Sequence, residues 1–230
     1  VRHRLQVIDL LWRFRAHTQF PLSFNPWART TVNAVAGYRA TFSTAATPII
    51  PREIQERIYN FCQSVLDSAE SILGKKRTLL KAGPEELMLR DAILYVVAIT
   101  TGMRNDEVLG IESGAYREEH INGTCYRWVR TVENKTKKGV VEYMCPQVTG
   151  RALEILERYA QPFQQRIADD IRGLEGLRAS PARLLQLAKL RADSKRLFLC
   201  ASPKGASVVN SLTNSTCNGA MSRIAKAAGV

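Results

Sequence analysis

No stretch of the 230 residues approaches the roughly 18 consecutive apolar positions that a membrane-spanning helix needs. Nor does the chain show the basic, then apolar, then small-residue succession of a secretory leader. Cysteine is sparse: Cys62, Cys125, Cys145, Cys200 and Cys217 lie far apart, with no C-x-x-C pair. An odd, scattered set excludes a disulfide framework and reads as the reduced thiols of a cytoplasmic protein. Histidine is rarer still. His3, His17 and His120 have no metal-ligand spacing, so no metal is expected. No internal repeat or low-complexity tract stands out either.

Acidic residues are also in deficit. There are 21 Asp and Glu against 33 Lys and Arg, a formal charge of +12, and the pI is near 9.8. An excess of this size favours a polyanionic partner, of which nucleic acid is the commonest soluble one. On charge alone, the alternative is a basic protein kept soluble by self-repulsion. Hydrophobic residues make up 45% of the chain, enough for one good core or for one domain plus a fragment.

Leu5, Ile8, Leu11, Trp12 and Phe14 mark one face of a first helix that gives out before Pro21 and Asn25-Pro26. Core packing is the default role for Trp12 and Phe14. Residues 27–47 are rich in Ala and Thr, hold no sustained period and read as a linker. Ile54, Ile58, Phe61, Val65, Ala69 and Ile72 form one apolar stripe, predicting a single helix with Pro51 at its first position. The basic loop Gly74-Lys75-Lys76-Arg77 closes it.

The next helix is predicted over 84–101. Its run from Ala92 to Ile99 is apolar all round, as in a buried core helix, and Gly102 stops it. A short helix begins near Arg104. Between 114 and 146 the pattern turns to β: 126–132 and 140–144 alternate, with a polar, Gly-ended turn at 134–139 between them. From Thr149 the chain is helical again, with an Arg-rich stretch broken near Ser180-Pro181. Leu197 to Leu199 read as a short strand or buried turn, and 212–228 as a last helix. The fold class expected is α+β, mostly helix with one small antiparallel sheet.

Thr101-Gly102-Met103-Arg104-Asn105-Asp106-Glu107-Val108 resembles the first signature box of tyrosine recombinases (phage integrases), T-G-(Leu/Met)-R-x-x-E-(apolar). In that family a buried helix delivers the arginine to the scissile DNA phosphate, and a helical turn and small three-stranded sheet follow. Asn134-Lys135-Thr136 is similar to the family's hairpin carrying a lysine, and Phe24-Asn25-Pro26 to the end of its DNA-clamping domain. Leu197-Phe198 and the Ser- and Asn-rich segment after it resemble the approach to the second signature box. The likeness covers about 1–160 and 197–230. It implies the last helix of a clamping domain over 1–26, a linker over 27–47 and a catalytic domain over 48–230.

The resemblance implies strand cleavage and rejoining through a 3′-phosphotyrosine, with double-stranded DNA as partner and a homo-oligomer assembled on it. No cofactor and no small-molecule substrate are expected. Arg104 suits the phosphate, since a guanidinium is always charged and forks two N–H bonds onto two oxygens. Glu107, one turn on, is placed to orient it. Lys135 is the family's general acid for the 5′ leaving oxygen, with Lys137 and Lys138 competing from the same loop. Lys75, Lys76, Arg77, Arg127 and Arg130 are candidate DNA contacts, the last two on opposite faces of a strand.

The family's second box, His/Lys-x-x-Arg, and its later nucleophilic tyrosine have no match. No His follows His120 and no Tyr follows Tyr159. The expectation is that they lie beyond Val230, so that the chain alone is inactive; the rival is a non-catalytic DNA-binding relative. A helical interaction protein with no nucleic-acid role is a third reading. Arg166, Arg172, Arg178, Arg183 and Arg191 resemble a DNA-tracking strip, but Asp169, Asp170 and Glu175 interleave with them, favouring a solvated face.

Overall fold

The structure, a computed structural model, describes residues 2–35, 50–75, 82–133, 139–178, 180–201 and 208–230. Chain contacts divide it into two units, Val1–Ile50 and Pro51–Val230. In the first, α1 (Arg2–Arg13) is followed by a 3-10 turn (Arg15–His17) and α2 (Val32–Val35). None of its described side chains is fully buried. Phe14 is 57% exposed, against the expected core role, while Trp12 is half-buried beneath the Arg15 guanidinium, 4.0 Å from its ring. Most of the expected linker lies outside the described residues.

The second unit holds the core. The helix expected after Pro51 is two, α3 (Arg52–Asp67) and α4 (Ala69–Leu73), with Pro51 at the cap rather than in the first turn. At Ser68 the backbone N–H turns back to Ser64 and Val65, which breaks the helix without interrupting the buried stripe. That stripe is Ile58, Cys62, Leu66, Ala69 and Ile72, not the Ile54–Phe61–Val65 line, which is only partly covered.

The next helix, α5 (Pro84–Thr101), has the bounds its sequence predicts. Glu86 Oε2 accepts the Gly83 N–H at 2.8 Å, closing its first turn. Leu89, Ile93, Leu94, Val96 and Val97 are all buried, at about 1.5–3 kcal/mol each. α3, α7 (Gln147–Glu175) and α9 (Asn214–Ala227) pack around it, which explains an apolar surface on every side.

After α5 come α6 (Asn105–Leu109) and an antiparallel sheet, ordered β1 (Tyr116–Ile121), β2 (Thr124–Glu133), β3 (Gly139–Met144). Asn122 and Gly123, both at positive φ, make the two-residue turn between β1 and β2. Helix α7 runs 29 residues through Pro162, and Gly150 on it lies against the Tyr116 ring, where a Cβ would come within 2.3 Å. α8 (Pro181–Asp193) follows, its first turn capped by Ser180 Oγ. A two-stranded hairpin, β4 (Leu199–Ala201) with β5 (Val209–Ser211), precedes α9. The class is α+β, with a three-stranded sheet and a two-stranded hairpin. No described helix is long and apolar enough to cross a membrane.

Candidate active site

The segment between α5 and α6 is built residue by residue to push one arginine outward. Thr101 Oγ1 donates to the Val97 carbonyl at 2.6 Å and accepts the Met103 N–H at 3.3 Å. Gly102, at φ +67°, ends the helix in the left-handed region, which costs a side-chain-bearing residue about 1–2 kcal/mol. Met103 is buried and anchors the turn. Arg104 then caps α6, its side chain 52% exposed, while Val108 and Leu109 return to the core.

Two buried carboxylates hold that guanidinium. Arg104 Nη1 donates to Glu107 Oε1 at 3.0 Å and to Glu133 Oε1 at 2.7 Å. Glu107 is 4% exposed and Glu133 7%. Glu107 Oε2 also accepts the backbone N–H of Arg104 at 2.8 Å, so one side chain fixes the residue at both ends. Hydrogen bonds to Glu133, then to Glu107, hold the Arg104 pKa above its ordinary value. Both acids take Nη1. Among the described residues no acceptor lies on Nε or Nη2, leaving a second edge of the fork for a ligand.

The sheet supplies the rest of the clamp. Thr131 Oγ1 donates to the Glu107 carbonyl at 2.6 Å, and the Tyr143 hydroxyl to Glu107 Oε2 at 3.0 Å. Thr131 and Glu133 alternate onto one face of β2 with Val129, whose partner across the pair is Tyr143. Burial first, then the bond to Glu107, raises the Tyr143 pKa. That hydroxyl positions an acid.

Two carboxylates around one guanidinium sum to a charge of −1. The clamp therefore supplies oriented N–H donors but no net positive charge. An anionic ligand needs further cations, and the segment directly after Glu133 carries Lys135, Lys137 and Lys138. These three, with Lys76 and Arg77, lie outside the described residues.

Of the other expected contacts, Lys75 pairs with Glu85. Arg127 pairs with Glu118 at 2.8 Å near the opposite end of β2. Arg130 is exposed and lines a cavity of about 190 Å³ with Gly110, Glu112, Thr131 and Val140. A neighbouring cleft of about 440 Å³ lies between α6, β2 and the start of α9, bounded by Asp106, Val132, Arg196, Thr213 and Asn214. Asn214 Nδ2 donates to Asp106 at 2.7 Å, tying α9 to α6. Most of the Arg-rich stretch is a solvated, internally paired face: Arg166 meets Asp170, Arg172 meets Asp169 and Arg191 meets Glu175.

Sequence reasoning missed Glu133, Tyr143 and Arg196. The only signal for Glu133 was its phase in β2, where an acid two positions after Thr131 falls on the buried face. Comparison with protein-family models, with curated proteins and with solved structures finds no match to this chain. A functional reading therefore stands on these residues and their geometry.

Proposed function

We propose that the chain belongs to a DNA strand-cleaving and rejoining enzyme of the tyrosine recombinase type, with Arg104 as its phosphate-gripping arginine. The observation that carries this is the half-exposed arginine held through Nη1 by two buried acids, with no acceptor on Nε or Nη2 among the described residues. Phosphoryl transfer places charge on non-bridging oxygens, and preorganised donors there lower the barrier. The T-G-M-R-x-x-E order, the sheet after α6 and the +12 charge support the same reading.

In this reading Glu107 and Glu133 are positioning residues, and Lys135 protonates the 5′ leaving oxygen. Neither tyrosine nearest in sequence to the missing box serves as the nucleophile in this reading: Tyr159 is buried and Tyr143 is committed to Glu107. The reading also requires a nucleophilic tyrosine and a second arginine box, which have no match in these 230 residues, and the catalytic unit acts as a homo-oligomer on duplex DNA. Cleavage and binding by an enzyme assembled with both elements provide the test. Arg104→Lys keeps the charge but loses the fork, so cleavage should fall by about 10²–10³ while duplex affinity changes little. Lys135→Ala should also slow cleavage and be rescued by sulfur at the 5′ leaving position, since a thiolate departs without a proton. Arg104→Lys should not be rescued. Equal losses of binding and cleavage in Arg104→Lys would leave the residue a docking role and favour a non-catalytic DNA-binding protein.

A further inference from the structure

The far end of the sheet gathers a second set of chemical groups, apart from Arg104. His120 on β1 is the direct partner of Cys125 on β2, and Glu118 stands two residues before His120 on the same face. A sulfur, an imidazole nitrogen and a carboxylate oxygen from the three lie within 4.8 Å of one another. Their linear spacing, E-x-H-x4-C, spells no familiar motif; the Asn122-Gly123 turn folds it into a cluster. Eight residue steps along β2 separate Cys125 from Glu133, about 27 Å along an extended strand. The two sites are therefore independent.

We propose that Glu118, His120 and Cys125 bind a zinc ion, with water completing a tetrahedral shell. Zinc takes thiolate, imidazole and carboxylate together, and three protein ligands leave one open position. The carboxylate is already oriented: Glu118 Oε1 accepts from the Tyr116 hydroxyl at 2.5 Å and from Arg127 Nε at 2.8 Å. Both of these donors take Oε1. Bonds of this kind to a ligating carboxylate are the usual outer support of a metal site. The Cys125 thiol also hydrogen-bonds to Glu118, a contact that zinc would replace on taking the sulfur as thiolate. One thiolate and one carboxylate cancel the charge of Zn²⁺, so the neighbouring Arg127 meets a neutral centre and does not repel it. The ion would clip β1 to β2 at an edge where strand pairing is otherwise its main restraint.

Titrating the reduced chain with Co²⁺ as a spectroscopic stand-in tests the assignment. One ion per chain should bring up a thiolate-to-cobalt charge-transfer band and tetrahedral visible bands, both abolished by added Zn²⁺. Cys125→Ser should remove the charge-transfer band although four other cysteines remain, and His120→Ala should weaken Zn²⁺ binding by about tenfold or more. Far-UV circular dichroism checks folding, and His120→Ala decides alone should Cys125→Ser not fold. No charge-transfer band in the wild-type chain, a band that survives Cys125→Ser, or unchanged zinc affinity in His120→Ala would overturn the site.

Discussion

Two arginine–carboxylate clusters flank α5, and they are built in inverse proportion. Just past its C-terminal end one arginine, half in water, sits on two buried acids, Glu107 and Glu133. Midway along it one acid, Asp91, 1% exposed, sits between two arginines. Arg90 donates to its Oδ1 at 2.7 Å from within the core, and Arg223 of α9 to its Oδ2 at 2.7 Å. The second arrangement buries Asp91 and Arg90, leaves Arg223 46% exposed and ties α9 to α5. The first buries the acids and holds the cation outward. Burying charge costs several kcal/mol per ion unless partners compensate. In the Asp91 cluster the return is a docked helix; in the Arg104 cluster it is an oriented guanidinium.

Neutralising each acid in place would break this contrast most sharply. Asp91→Asn strands buried Arg90 without an anion and frees Arg223, and should cost about 3–5 kcal/mol of stability in denaturant titrations. Glu133→Gln leaves Arg104 with Glu107 and with water, so its loss should stay near 1 kcal/mol. Equal losses would mean that the Arg104 cluster is structural too. A smaller effect is expected at the turn before Arg104. Gly102→Ala meets no neighbouring atom but must hold φ +67°, so it should cost about 1–2 kcal/mol. No loss would show that the turn does not depend on the left-handed conformation.

Alkaline pH separates the core from both clusters. Burial pushes the Cys62 thiol up to about 12, and burial first likewise lifts Cys145 to about 11. An unfolded thiol ionises near 9, so the stability from the buried neutral form is whole below that pH. It is lost as pH rises towards the folded values, at roughly 1.4 kcal/mol per unit for each thiol. Guanidiniums keep their charge through this window. Cys62→Ala should therefore flatten the decline in unfolding free energy between pH 9 and about 11. An unchanged slope would move the alkaline sensitivity elsewhere.

What could be read in advance follows physical lines. α5 was legible to the residue because a long apolar run, Pro84 and Gly102 all agree on its bounds. β1 was not assigned from its own residues: Tyr-Arg-Glu-Glu-His-Ile has no apolar alternation, since it is an edge strand with charged faces. The break at Ser68 was hidden because the buried stripe continues across it. Arg104 and Glu107 could be paired from an i, i+3 spacing, whereas Glu133 and Tyr143 reach them only through β pairing. Glu118, His120 and Cys125 escaped for the same reason. Asp91 went unnoticed beside an apolar run, where its partner is 132 residues away.

The open edge of Arg104 is the central claim, and the arginine side-chain N–H signals report on it directly. In ¹⁵N-labelled chain, the Arg104 Nε resonance, assigned by its loss in Arg104→Lys, is followed while duplex DNA is added at low salt. It should shift in a saturable way and return as salt releases the DNA, because a phosphate has taken the Nε and Nη2 edge. Duplex binding seen at other residues while the Arg104 Nε signal stays unmoved would contradict the account.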